Sequence, residues 1–283
     1  MSAEPGMDTL GRDRGRLVRG LMITAALLYV GILLIAPLIG IVWSALDQGL
    51  GIVGRTFGEA DVQHAFLLTL IITLITVVVT GVFGVVVALV LARDRFPGKR
   101  LLSAVVDLPL AVSAVIVGLM AVILFGRGGW FEGFFAARGI QILFALPSMV
   151  LVTIFICIPF VIREVTPVLQ ELGMEEEQAA WTLGASRITT FLRVTLPNIR
   201  WGLLYGVALS TARALGEIGA VLIVSGAIQG QTETATLYIL RALEERQDAQ
   251  GFVVALTLAA ASVLILFGIE FFKRRQLQSK EAT

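Results

Sequence analysis

Six long apolar stretches separated by short polar connections set the frame of the chain. The first two, Leu21 to Leu46 and Ala65 to Ala92, run for 26 and 28 residues without a charge. Four more cover about Leu108 to Gly126, Gly139 to Ile162, Trp201 to Val224 and Gly251 to Ile269. A hydrocarbon core of about 30 Å is crossed by about 20 helical residues, so the two longest runs span it with tilt. Backbone groups in lipid must be satisfied within their own segment, which selects the helix. Pro37 predicts a kink in the first span, Pro109 lies at the start of the third, and Pro147 and Pro159 fall within the fourth. The expected fold is all-α and integral to the membrane, with six transmembrane helices in one domain over residues 21–272. Tails flank it at 1–20 and 273–283, and no tandem repeat is present.

Charge placement orients this frame. Lys and Arg number 16 over the N-terminal tail, the Arg93–Arg100 connection, the Arg163–Arg200 connection and the C-terminal tail, against five over the alternate connections. Basic residues collect on the cytoplasmic side, so both termini and the Arg163–Arg200 segment are expected there. The first run is too long for a cleaved signal peptide and reads as a permanent span. Composition agrees, at 57% hydrophobic and 15% charged residues with a mean hydropathy of +0.90. The net charge of +1 gives no reason to expect a nucleic-acid partner. One cysteine, Cys157, and one histidine, His64, leave no disulfide, His metal cluster or nucleophile-base arrangement to build. No G-x-x-x-x-G-K-[ST] loop occurs, so the chain is not expected to be an enzyme, to bind nucleotide or to carry a cofactor.

The polar segment before the fifth span has a pattern of its own. Glu175, Glu176 and Glu177 suit a helix N-terminus, good helix formers follow to Leu183, and Gly184 ends or bends the helix. A second short helix is expected over about Ser186 to Val194, with Ile188, Phe191, Leu192 and Val194 as its apolar stripe and Pro197 closing it. The product is a helix-turn-helix knob with Ala179 and Ala180 as small contact residues. Gln178-Ala179-Ala180, Gly184, Val194 and Leu196-Pro197 fall at the spacing of the E-A-A loop, and the segment resembles that loop of ABC importer permeases. The resemblance implies a coupling loop over about 164–200 whose Glu177, Gln178, Ala179, Ala180, Gly184, Leu196 and Pro197 dock on a separate P-loop ATPase. Gln178 replaces the usual Glu of the pattern and Val194 the usual Ile.

The fifth span carries charges. Arg213 and Glu217 stand four residues apart, one helical turn, within an apolar run. Intramembrane charges face a bundle interior or a water path, so the pair is either structural packing or an anion path, with Ser210 and Thr211 as further path candidates. The run A-R-A-L-G-E-I-G around it, with L-P-N-I-R-W before and V-S-G-A-I-Q-G after, is similar to permeases of the sulfate/thiosulfate and molybdate branch. The resemblance covers about residues 65–272 and implies a type I ABC importer transmembrane domain in a bacterial cell membrane. It further implies a related T-type permease, two ATPase copies using ATP and Mg, surrounding membrane lipid and an extracytoplasmic sulfate-binding protein. Molybdate or tungstate as cargo, and a secondary transporter using Arg213 and Glu217 as an ion relay, are the alternatives.

Overall fold

The computed structural model describes residues 8–281 except positions 48 and 50, so expectations for residues 1–7 and 282–283 lie outside the described residues. The elements are α1 (Asp8–Leu46), α2 (Gly51–Gly58), α3 (Ala60–Arg93), α4 (Lys99–Ala111), α5 (Ala114–Phe125), α6 (Glu132–Ala136) and α7 (Leu146–Leu172). They continue as α8 (Glu175–Thr182), α9 (Arg187–Thr190), a π-turn (Phe191–Thr195), α10 (Leu196–Leu215), α11 (Gly219–Ser225), α12 (Ala235–Glu244) and α13 (Asp248–Glu281). Among the described residues four helices are long and apolar enough to cross a membrane, and six spans result if each of two bent pairs counts as one.

Small residues bring α3, α7 and α10 into a tight bundle. A Cβ on Gly84 would sit 2.6 Å from Val161, and one on Gly206 2.8 Å from the Val161 Cα. With little hydrophobic drive between helices in lipid, such close backbone approach is what lets dispersion hold them together. Val85, Ala88, Val161, Val165, Leu169 and Ile199 fill the seam. Outward, α3 presents Leu67, Leu70, Leu74 and Val78, all exposed and apolar, as a lipid- or protein-facing helix should. Helix α1 passes through Pro37 as one helix and packs on α13, with most of its described side chains exposed.

Three spans differ from the sequence expectation. The third is not a single helix over Leu108 to Gly126: α4 and α5 meet at 112°, where Val112 and Ser113 take extended dihedrals. The fourth starts at Leu146 rather than Gly139, because Pro147 fits the first turn of a helix, and runs on past Ile162 to Leu172. The fifth begins earlier, at Arg187, and breaks after Leu215 with a 54° bend into α11. The two breaks are neighbours: a Cβ on Gly219 would lie 3.0 Å from Ala114 Cβ, and one on Gly118 2.9 Å from the Ala220 carbonyl oxygen.

The connections gather at two opposite ends. At one, the C-terminal ends of α3 and α7 meet α8. At the other, the segment between α11 and α13, expected as a polar connection, folds back into the bundle through α12. There Ala235 N donates to Thr69 Oγ1 at 2.9 Å, and Leu237 and Tyr238 are buried. Arg241 holds the buried Glu233 with Nε to Oε1 at 2.7 Å and Nη2 to Oε2 at 3.1 Å, which raises its own pKa above the usual guanidinium range. Tyr238 donates to Glu59 Oε2 at 3.2 Å, and burial, with the Glu59 charge behind it, pushes its phenol up to about 12.

Candidate functional site

The knob forms as a helix, a glycine turn and a second helix. Helix α8 ends in a Schellman motif: Ala185 N donates to the Ala180 carbonyl at 3.0 Å and Gly184 N to that of Trp181 at 2.9 Å. Gly184 takes φ +84°, which residues with a Cβ adopt only at a cost. Ser186 then caps α9, its Oγ accepting from Thr189 N at 3.2 Å.

The second helix does not stop at Pro197. It continues into α10, and the register changes to π over Phe191–Thr195, just before the proline. Proline has no N–H and its ring crowds the carbonyl four residues back, so a widened turn there lets the helix pass. The expected stripe is divided: Phe191 and Val194 turn toward the bundle, while Ile188 and Leu192 are exposed. Leu183 is 88% exposed beside Ile188 at 74%, and Ala179 and Gln178 are exposed with them. Ala180 is half-buried.

Glu177 points the other way, into the protein. Its Oε1 accepts from Arg93 Nη2 at 3.0 Å and from Thr195 Oγ1 at 2.9 Å, and Arg93 Nη1 donates to the Leu169 carbonyl at 2.9 Å. One buried carboxylate therefore joins α3, α7, α8 and the π-turn, and Asn198 adds a bond to Glu176. Gln178 is exposed and takes no part in these bonds. Arg93, Thr195 and Asn198 were missed by sequence reasoning, since Arg93 lies 84 positions from its partner.

Arg213 and Glu217 meet at the break between α10 and α11. Arg213 Nη1 lies 2.6 Å from Glu217 Oε2, an ion contact rather than an aligned hydrogen bond, with the arginine side chain 34% exposed and the glutamate 2%. Glu217 lies beyond the end of α10 and not within one continuous helix. Its Oε1 accepts from Ala220 N at 2.8 Å, capping α11, and its carbonyl accepts from Thr236 Oγ1 at 2.7 Å. Ser210 is fully buried in a reciprocal contact, its Oγ donating to the Cys157 carbonyl at 3.2 Å while Cys157 Sγ donates to the Ser210 carbonyl at 3.6 Å. Thr211 bonds back to the Val207 carbonyl at 2.7 Å. Of the four path candidates, Arg213 is the one whose charge reaches a surface, and Ser210 is committed to helix packing.

Known proteins share this arrangement of membrane helices. Residues 81–278 match the family described as binding-protein-dependent transport system inner membrane component. The chain belongs to this family. It shares 45% identity over 258 residues with the sulfate transport system permease protein CysW of Synechocystis, spanning 91% of this chain and 94% of that protein. It is 37% identical to the sulfate transport system permease protein CysT of Salmonella typhimurium, over 90% of this chain and 92% of that one. The fold matches a chain of a bacterial ABC transporter involved in the import of the acidic polysaccharide alginate, with TM-score 0.77 at 18% identity, covering 94% and 99% of the two chains. As a member of this permease family the chain is a multi-pass membrane component of an importer and not itself an enzyme. That membership also sets aside the secondary-transporter reading, which needs no binding protein.

Proposed function

We propose that this chain is one of two related permease subunits of an ATP-driven sulfate and thiosulfate importer of the bacterial cell membrane. The knob end and both termini face the cytoplasm, where the tip around Leu183, Ile188 and Ala179 docks on an ATPase subunit. Two ATPase copies bind the ATP and Mg; a T-type permease supplies the other half of the path, and an extracytoplasmic sulfate-binding protein delivers cargo at the opposite end. The observation that carries this reading is an apolar tip, open to water, mounted on a base fixed by the buried Arg93–Glu177 pair. Full burial of one leucine or isoleucine is worth about 2 kcal/mol, so a few such residues suffice for docking. The likeness to CysW and CysT over nearly their whole length supports sulfate as cargo.

In this reading Arg213 offers positive charge to the anion while Glu217 acts as a fixture. Both carboxylate oxygens of Glu217 are engaged, one on the α11 N-terminus and one on Arg213. Arginine carries five N–H donors, and the contact with Glu217 uses one nitrogen. A dianion crossing a low-dielectric region gains strongly from such a charge, and the adjacent carboxylate keeps the site from trapping it. The test is reconstitution of the chain with a T-type permease, ATPase and binding protein in vesicles. ATP-dependent uptake of labelled sulfate is expected; uptake of molybdate or tungstate in its place would overturn the cargo assignment.

A further inference from the structure

We propose that Arg163 is a second anion-contacting residue of the path, held neutralised by Asp107 in the conformation described here. The inference rests on the reading that this permease carries an oxyanion. Arg163 Nε donates to Asp107 Oδ1 at 2.8 Å, with the two side chains 56% and 41% exposed. The sequence placed Arg163 in a cytoplasmic connection, yet the structure places it inside α7, with Asp107 inside α4.

Depth makes this exposure informative. Helix α7 has 27 residues, about 40 Å, against a hydrocarbon core of about 30 Å. Arg163 lies about 26 Å along it from Leu146, which is inside the core when the core begins at Leu146 or further along the helix. Half-exposed charges at that level do not face lipid; they face a water-filled path or a protein partner.

Position relative to Arg213 favours the path. The Cys157–Ser210 contact fixes the register of the antiparallel α7 and α10. Arg213 lies three residues beyond Ser210 toward the opposite end, and Arg163 six residues beyond Cys157 toward the knob. The two guanidinium-bearing positions are therefore separated by about 14 Å along the bundle. That is too far for one tetrahedral anion to touch both, and suits two successive stations. Asp107 belongs to α4, whose continuation α5 packs on α11 just past Glu217. Movement at the paired breaks thus shifts Asp107 relative to Arg163. An anion leaving Arg213 displaces the Asp107 carboxylate from Arg163, and the returning carboxylate releases it toward the knob end.

The complex assembled with its partner permease, ATPase and binding protein provides the test. Cys157 is the chain's one cysteine, so a Cys157→Ala background is free of native thiols in this subunit. In that background Arg163→Cys is expected to react with membrane-impermeant 2-sulfonatoethyl methanethiosulfonate added to the cytoplasmic side, and saturating sulfate is expected to slow the reaction. Arg163→Ala should lower sulfate uptake by about tenfold or more while binding-protein-stimulated ATP hydrolysis and complex yield persist, and Arg163→Lys should recover part of it. Absence of labelling at position 163 in the assembled complex overturns the proposal, as does wild-type uptake by Arg163→Ala. Uptake by the unaltered complex tests the cargo, whereas labelling at position 163 tests this inference whichever oxyanion is carried.

Discussion

Two arginine–glutamate pairs of nearly equal length do opposite things in this molecule. Arg93–Glu177, at 3.0 Å, joins residues 84 positions apart and closes a junction between four elements. Arg213–Glu217, at 2.6 Å, joins residues one turn apart where a span breaks. In the first pair the glutamate is buried, the arginine is largely covered and both are further bonded, so the charge is spent on holding geometry. In the second the glutamate alone is fixed and the arginine stays partly open. The accessibility of the cation, rather than the existence of the pair, separates an anchor from a candidate contact for cargo.

The comparison can be broken most directly at Arg213. Arg213→Ala is expected to abolish oxyanion uptake in reconstituted vesicles, a fall of about a hundredfold or more, with membrane insertion intact. Replacing Arg213 and Glu217 together by a neutral apolar pair separates the roles, since a purely structural pair is often replaceable at little cost. Normal uptake by that double variant would make the second pair an anchor like the first.

Next in size is the knob turn. Gly184→Trp should uncouple ATP hydrolysis from uptake, or release the ATPase on purification, while the spans stay folded. Space around Gly184 is open and its φ is positive, so Gly184→Ala isolates the backbone cost of about 1–2 kcal/mol from the bulk at the docking face. Full coupling in the tryptophan variant would remove the docking assignment.

Removing the anchor should act on the subunit itself. Glu177→Ala leaves the largely covered Arg93 without its carboxylate and is expected to cost about 2 kcal/mol of stability, read as a lower unfolding temperature in detergent. Gln178→Ala, one position along and exposed, is expected to change that temperature within error and to affect docking alone. Equal losses from the two would erase the distinction between base and tip.

The smallest effect lies at the end opposite the knob, in α12. The Tyr238 phenol has its pKa raised from 10.0 to about 12, so the folded state favours the neutral form. Its contribution is fully present below pH 10 and is lost as pH rises through about 12. Absorbance titration of the folded protein should show one tyrosine ionising late, and Tyr238→Phe should remove that step.

How much of this was legible depends on range. The apolar helices and the helix-turn-helix knob follow from composition, run length and a glycine, all local quantities. The bend at Val112–Ser113 was not legible, because neither residue is a strong helix breaker and the packing of α5 on α11 decides it. Pro197 was misread for the opposite reason: its local preference is to end a helix, and the π-turn accommodates it. The segment over 225–250 looked like a solvated connection by its polar content. Its Thr232, Glu233, Thr234 and Thr236 are buried; Thr69 of α3 accepts from the α12 backbone, and Arg241 of the segment itself holds Glu233. Arg93 contributed to a charge count without showing that it had a specific partner. Arg213 and Glu217 were found because they are close in sequence, and the cap that Glu217 makes on α11 needed the break to be seen.

The widened turn over Phe191–Thr195 has a consequence for how this protein tolerates insertions and deletions. A π-turn holds one residue more than the α-turn it replaces. Deleting a residue there would restore ordinary winding and leave the helix on either side close to its present phase, because the wider turn already absorbs the surplus residue. Leu183 and Ile188 would keep their direction, whereas the same deletion in the α-wound part of the fifth span would turn them by about 100° about its axis. The stretch beside Pro197 is thus where a change of one residue in length leaves the facing of the knob intact.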